Sequence, residues 1–454
     1  MFESCDASSS WPRARRAPPL AAVATIAPRR AFFLFFARKP AVSCCADGTT
    51  PADFSSSSLA SSRRSYGRSW YNPLRQSQLD SGPEISRLWI DADRTLGSSP
   101  ERFTVASYNI LSDKNAFKHT DLYTNVPYVY MKWGRRKRVI CEELIGWNPD
   151  IICLQEVDKY YDLSDILAKA GYAGSCARLA ELLILLLVSK RREAKVVASQ
   201  FKLLEGESIE YKGLGLRDNV AQISVFEMCK APSRRFLVGN IHVLYYPSRG
   251  DVKLGQVRFL SSRAHIISDK WGKAPVLLAG DFNSTPQSAI YEFLSSSELN
   301  IMLYNRRELS GQRSCHPTQV LGVKQEFNSP FSSIDGLLKN SWTDEEVLVA
   351  SGKSDCRVVV HPLNLNSSYA AVKGSTGTRG SNGEPLATSY HSKFLGTVDY
   401  IWYSDGLLPT RVLDTVSLDI LKRTGGLPCK KVGSDHLALV SEFAFTLNTD
   451  EADI

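Results

Sequence analysis

The chain has 454 residues, 43% of them hydrophobic and 22% charged, with a formal net charge of +8. That is ordinary globular composition, enough for one large domain or two smaller ones. No apolar run approaches the roughly 18–20 residues of a membrane-spanning helix, so a soluble protein without a membrane partner is expected.

Residues 1–98 read as a disordered or targeting extension. They are rich in Ser, Ala, Arg and Pro, and residues 1–50 hold seven Arg or Lys against three acids. That composition cannot bury enough apolar surface to fold, and its Arg/Ser bias resembles an organelle transit peptide. It also accounts for much of the basic charge, which is at most a weak pointer to a polyanionic partner. No repeat period is visible in it.

From Phe103 onward, apolar strand-like runs occur at 103–110, 151–155, 220–228, 236–244, 276–280, 397–403 and 437–443. Helical stretches are expected at 135–145, 255–267 and 287–294. The last of these has Ser284 or Thr285 as its cap and Pro286 in its first turn. Strands mixed with helices over this length predict an α/β sandwich, one domain over 99–446, with a short acidic tail at 447–454. The segment 371–388, rich in Gly, Ser and Thr, predicts a surface loop, and 296–345 shows no clean periodicity. The ten cysteines form no C-x-x-C pair, and Cys153 lies inside an apolar run, which predicts reduced thiols and no zinc site.

The chemistry gathers where apolar runs end. Ser107-Tyr108-Asn109, Leu154-Gln155-Glu156, Asn240-Ile241-His242 and Asp281-Phe282-Asn283 each close or follow such a run, Val398-Asp399-Tyr400 opens one, and Gly433-Ser434-Asp435-His436 precedes the last. In an extended segment residues i and i+2 share a face, so Asp281 and Asn283 point the same way. Oxygen ligands with few carboxylates suit Mg²⁺ better than zinc. An acid to prepare a water, with imidazoles to neutralise charge on phosphate oxygens, is the inventory of phosphodiester hydrolysis.

In this order the motifs Ser-Tyr-Asn-Ile, Leu-Gln-Glu-Val, Asn-Ile-His-Val, Gly-Asp-Phe-Asn, Val-Asp-Tyr-Ile and Ser-Asp-His resemble the endonuclease/exonuclease/phosphatase superfamily. Tyr245-Tyr246-Pro247 with the following 250–256, and the stretch 388–400, resemble the carbon-catabolite-repressor-four deadenylases, closest to plant homologs without leucine-rich repeats. The resemblance covers about residues 100–445. It implies a four-layer α/β/β/α sandwich and a Mg²⁺-dependent 3′→5′ exoribonuclease that shortens poly(A) tails of mRNA and releases 5′-AMP.

On that likeness Glu156 holds the metal, with Asn109 nearby and Asp435 at a second ion. Asp281 orients or deprotonates the water, and Asn283 holds the phosphate. His242 and His436 stabilise the transition state, with Asp399 orienting His436. Pro247 and Phe394 sandwich an adenine, and Asn219 lies near the phosphate. The likeness further implies a nuclear and cytoplasmic location, with an organelle as the alternative through the N-terminus, and other deadenylase subunits as partners, although the repeat region that docks them is not seen.

One stretch departs from the pattern. Between Gly171-Tyr172 and Arg217, residues 173–200 replace a glycine-containing basic loop and its following strand with a leucine-rich run, 182–188, and a basic patch. By length the run can be a buried strand. This segment makes a catalytically impaired RNA-binding variant one alternative; the resemblance itself implies another, a 2′-phosphatase acting on a nicotinamide dinucleotide phosphate.

Overall fold

A computed structural model describes residues 83–93, 101–179, 182–193, 196–322 and 342–446, all of which fall in one compact unit. The strands in chain order are β1 (Trp89–Asp91), β2 (Arg102–Asn109), β3 (Ile151–Val157), β4 (Tyr172–Leu179), β5 (Leu182–Glu193) and β6 (Val196–Ser199). They continue with β7 (Phe201–Glu210), β8 (Val220–Met228), β9 (Ala231–His242), β10 (Val276–Asp281), β11 (Glu298–Asn300) and β12 (Val358–Val360). The last six are β13 (Asn366–Ser367), β14 (Ser389–His391), β15 (Phe394–Gly396), β16 (Asp399–Tyr403), β17 (Leu407–Leu413) and β18 (Leu439–Phe445). Two mixed sheets dominate. One runs β1-β17-β18-β2-β3-β5-β4, with β6 paired to β5, and the other runs β13-β16-β10-β9-β8-β7.

Strict alternation along each strand sends its side chains to two different cores. Phe103 and Val105 of β2 meet Phe236, Val238, Leu277 and Ala279 of the other sheet, with Phe103 stacked on Phe236 at 4.2 Å. The intervening Ala106 and Tyr108 face Ile140 and Leu144 of the helix Trp133–Trp147. On the far side, Val276 and Leu278 face Leu254, Val257 and Leu260 of the helix Gly250–Lys270. Helices outside and two sheets inside give the expected four-layer α/β/β/α sandwich.

The leucine run is a strand. β5 lies between β3 and β4, pairing antiparallel with both. Leu186 enters the core between the sheets while Leu185 and Leu187 enter the helix-side core. A central strand covered on both faces needs apolar side chains throughout, which is why the run shows no alternation.

Three expectations need correction. β1 lies inside the expected extension 1–98 yet pairs with β17, and Arg87 donates to the carbonyls of Leu413, Asp414 and Ala438, so the fold begins earlier than residue 99. The remainder of that extension up to 82, with 94–100, and the tail 447–454 lie outside the described residues.

The helix after Asn283 is Ala289–Ser296, capped by Ser288, whose hydroxyl accepts from the Tyr291 N–H at 3.2 Å. Ser284 and Thr285 do not cap it. The chain first turns through a left-handed Asn283 (φ 47°), and the Thr285 N–H goes to the Ser310 carbonyl. The segment 371–388 is a loop, but Thr378, Glu384, Ala387 and Thr388 are buried, so it packs into the domain rather than over it.

Candidate active site

The register brings the polar ends together. Asp281 at the end of β10 is the partner of His242 across the parallel β9 ladder and of Asp399 across the antiparallel β16 ladder. Asn109 ends β2 beside Gln155 of β3. Gly280 adopts φ 147°, and a Cβ there would lie 1.9 Å from the Ile241 carbonyl oxygen, so only glycine lets β10 lie this close to β9 just before Asp281.

Glu156 is aimed by an irregularity in β3. The register against β5 shifts between Leu154 and Val157, and Glu156 takes φ 58°, a conformation that a non-glycine residue adopts at a cost. Its Oε2 accepts from the Ser112 N–H at 3.1 Å, the Ser112 hydroxyl at 3.2 Å and the Asn115 Nδ2 at 2.8 Å. Among the described residues its Oε1 has only long neighbours, Asn109 Nδ2 at 3.4 Å and His242 Nε2 at 3.9 Å. Burial works to raise this carboxyl, but His242, Asn115 and the Ser112 N–H outweigh it and hold the group below the usual carboxylate range. An anionic carboxylate with one saturated and one open oxygen is a fitting donor for a hard divalent cation.

Asp281 is buried. Its Oδ1 accepts from the Asn283 N–H at 2.8 Å, and its Oδ2 lies 3.0 Å from Asn109 Nδ2, 3.5 Å from His242 Nε2 and 3.9 Å from His436 Nε2. Burial and Asp399 raise its pKa above the ordinary value, against the two imidazoles and the Asn283 N–H.

His436 Nδ1 meets Asp399 Oδ2 at 2.9 Å, and that carboxylate also accepts from the Thr388 hydroxyl at 2.6 Å. Burial alone would lower the imidazole; Asp399, Asp435 and Asp281 overcome this and raise it well above its usual range. Asp281, Asp399 and His436 bring ligand atoms within 4.8 Å of one another. With its pKa raised, His436 can donate a hydrogen bond to a phosphate oxygen, and the carboxylates of Asp281 and Asp399 are the oxygen atoms of this trio that could face a cation.

Asp435 Oδ2 accepts from the Tyr123 hydroxyl at 2.9 Å, and among the described residues its Oδ1 has only Ser434 at 3.4 Å, which leaves room for a ligand. Asn283 donates to the Val243 carbonyl at 2.9 Å and accepts from Gln312 at 3.0 Å, keeping one amide proton uncommitted. Asn219 supports the site from behind: it donates to the His242 carbonyl at 3.0 Å and accepts from Gln256 at 3.0 Å.

Pro247, in the loop after β9, and Phe394, at the start of β15, are joined through 310–315. The Ser310 hydroxyl donates to the Pro247 carbonyl at 3.2 Å, and the Leu395 N–H to the Cys315 carbonyl at 2.8 Å. The structure thus gathers Asn109, Glu156, His242, Asp281, Asn283, Asp399, Asp435 and His436 into one cluster.

Several further residues shape the site without a role evident in the sequence. Lys253 is fully buried and donates to the Asn283 backbone carbonyl at 2.7 Å and to the side-chain Oε1 of Gln312. Burial lowers its pKa well below the lysine range, opposed by Asp281. Ser112 had a legible signal, a serine before Asp113 at a helix start, and its hydroxyl does cap the helix Asp113–Lys118. Gln312 lies in an aperiodic stretch with no such signal, and Thr388 opens the motif stretch 388–400 with no role of its own legible there.

A sequence profile of the endonuclease/exonuclease/phosphatase family matches residues 106–436. The chain is 56% identical to carbon catabolite repressor protein 4 homolog 3 of Arabidopsis thaliana, over 88% of this chain and 89% of that protein. It is 26% identical to the CCR4-Not complex 3′-5′-exoribonuclease subunit Ccr4 of Phaeosphaeria nodorum, over 80% of this chain and 63% of that one. Among solved structures, ANGEL2, described as a 2′,3′-cyclic phosphatase in complex with adenosine-2′,3′-vanadate, superposes with a TM-score of 0.62 at 26% identity, covering 80% of this chain and all of that one.

Proposed function

From a chain that belongs to the endonuclease/exonuclease/phosphatase family, in its carbon-catabolite-repressor-4 branch, we propose a Mg²⁺-dependent 3′→5′ exoribonuclease that removes 5′-AMP from poly(A) tails. The family makes it a hydrolase of the nuclease type; the metal, direction and tail preference are the proposal. The observation that carries it is the opposition of one open carboxylate oxygen on Glu156 to an Asp281/His242 pair and an Asp399–His436 pair within a single buried cluster. Glu156, with Asn109 beside it, would hold the Mg²⁺, which supplies Lewis-acid charge at the phosphate oxygens.

The remaining chemistry belongs to the chain. A water beside Asp281 Oδ2 is oriented by that carboxylate and gives it a proton as the bond from its oxygen to phosphorus forms. The bond from phosphorus to the 3′-oxygen of the upstream nucleotide breaks, and that oxygen takes a proton from solvent. His436, kept charged by Asp399, and His242 meet the negative charge that grows on the non-bridging oxygens. The free amide proton of Asn283 holds one of those oxygens in place. Pro247 and Phe394 would take the terminal adenine.

Purified protein with 5′-labelled oligo(A) and Mg²⁺ should yield a shortening ladder and AMP, and an Asp281→Ala/Glu156→Ala double variant should not. No shortening by the intact chain would end this reading. The likeness to a 2′,3′-cyclic phosphatase favours a second one, phosphatase action at the same site. Opening of a 2′,3′-cyclic phosphate end, or phosphate release from NADPH, without AMP from oligo(A), would select it. The impaired variant is disfavoured by the leucine run, which forms the central strand β5.

A further inference from the structure

An open cavity of about 620 Å³ lies beside the cluster and is not used by the chemistry above. Its walls come from the helix Asp113–Lys118, the segment 120–133 and the residues just after Glu156. Phe117 and Tyr128, which line it, are 85% and 76% exposed, the two most exposed aromatic side chains among the described residues. Lys132 lies 5.4 Å above the Tyr128 ring.

The charge balance at this cavity is positive. Three lysines, 114, 132 and 159, line it against two acids. Both acids are engaged: Asp113 lies 3.8 Å from the buried Arg136 and 3.8 Å from Lys159, and Asp158 accepts from the Lys114 backbone N–H at 2.9 Å. Exposed aromatic faces among lysines form the surface that single-stranded nucleic acid takes, bases on rings and phosphates on cations.

The cavity adjoins the reacting centre through two of its lining residues. Tyr123, one of its walls, donates to Asp435, and Asp113 follows directly the Ser112 that holds Glu156. The same segment holds the hairpin of Phe394, since the Ser392 N–H donates to the Leu122 carbonyl at 2.9 Å and Lys393 pairs with Asp121 at 2.5 Å. A strand whose terminal nucleotide lies at that hairpin has its next nucleotides within reach of the cavity.

We propose that this cavity is a docking site for a base of the single-stranded RNA upstream of the scissile bond, stacked on Phe117 and Tyr128 with its phosphate near Lys132. The proposal rests on the ribonuclease reading of the site. Its consequence is a preference for substrates several nucleotides long over dinucleotides.

The test compares a 20-residue oligo(A) with the dinucleotide ApA, using the full chain and a Phe117→Ala/Tyr128→Ala variant. Both side chains are exposed, so the variant should melt as the parent does. KM for the long substrate should rise about 10-fold, with kcat and the dinucleotide's KM within twofold of the parent. Lys132→Ala should reduce the slope of log Kd against log salt by about 0.7 for the long oligomer, as loss of one phosphate contact on a single strand requires.

An unchanged KM for the long substrate, or an equal rise for both, overturns the docking site. If the parent cleaves neither, anisotropy with labelled oligo(A) decides: weaker binding by the double variant keeps the docking site and discards only the nuclease reading. Equal binding discards the docking site.

Discussion

At the residue scale, the cluster separates charges by hydrogen bonding. Glu156 is kept anionic by three donors on one oxygen, while Asp281, deep among carboxyl and imidazole groups, is raised. His436 is tied to Asp399, which is tied to Thr388, so the imidazolium has one orientation. His436→Gln should lower kcat on oligo(A) about 10²–10³-fold, the range for losing one group aimed at transition-state charge. Thermal melting should stay near that of the parent, and a comparable fall in melting temperature would instead mark His436 as structural.

Gln312 tests the support beneath Asn283. Gln312→Leu strands the Asn283 Oδ1 and removes a partner of the buried Lys253 ammonium, at about 1–3 kcal/mol for each orphaned group. Denaturant unfolding should show that loss, with kcat falling as Asn283 loosens. The acids and imidazoles of the site were legible because each interrupts an apolar run. The roles of Lys253 and Thr388, inside motif stretches, and of Gln312 were not, since they depend on long-range burial beside Asn283 and Asp399 that local pattern does not encode.

At the element scale, backbone exceptions place the functional groups. Gly280 allows the β10–β9 approach, and Gly280→Ala should cost more than about 3 kcal/mol in denaturant unfolding because the added carbon meets a strand carbonyl rather than a yielding side chain. The strands themselves were legible from apolar runs. The start of the helix Ala289–Ser296 was not, because two serines and a threonine within five residues offer equivalent caps and the turn at Asn283 decides among them.

The loop 371–388 looked superficial because its Gly, Ser and Thr carry no apolar signal, yet it buries Glu384 against Tyr291, whose hydroxyl donates to it at 2.8 Å. Burial pushes this carboxyl up to about 7 from 4.5, against Ser367, Tyr291 and Arg379. A raised folded-state pKa means that the folded chain holds a proton the unfolded chain has lost. This group's contribution is therefore full below about pH 4.5, declines as pH rises towards about 7, and is flat above. Glu384→Gln should remove that part of the slope in a pH series of unfolding free energies, and an unchanged slope would show that Glu384 ionises normally.

At the scale of the whole molecule, the two sheets are joined by a polar bridge as well as by aromatic packing. Gln155 Nε2 donates to Asn240 Oδ1 at 2.8 Å, and Asn240 Nδ2 reaches the carbonyls of Leu154 and Leu185, each at 3.2 Å. One side chain of β9 thus ties β3 to the leucine-rich β5 at the point where β3 loses register and releases Glu156. The atypical run therefore helps to set the geometry of the metal-side carboxylate. Asn240→Leu keeps the volume but removes the bridge, and should destabilise the fold by about 3 kcal/mol as buried polar groups lose a partner. Because Gln155 precedes Glu156 directly, binding of Mn²⁺, followed by its electron paramagnetic resonance signal, should weaken in the same variant. A variant that loses stability but binds the ion as the parent does would show that the bridge holds the sheets together without setting the carboxylate.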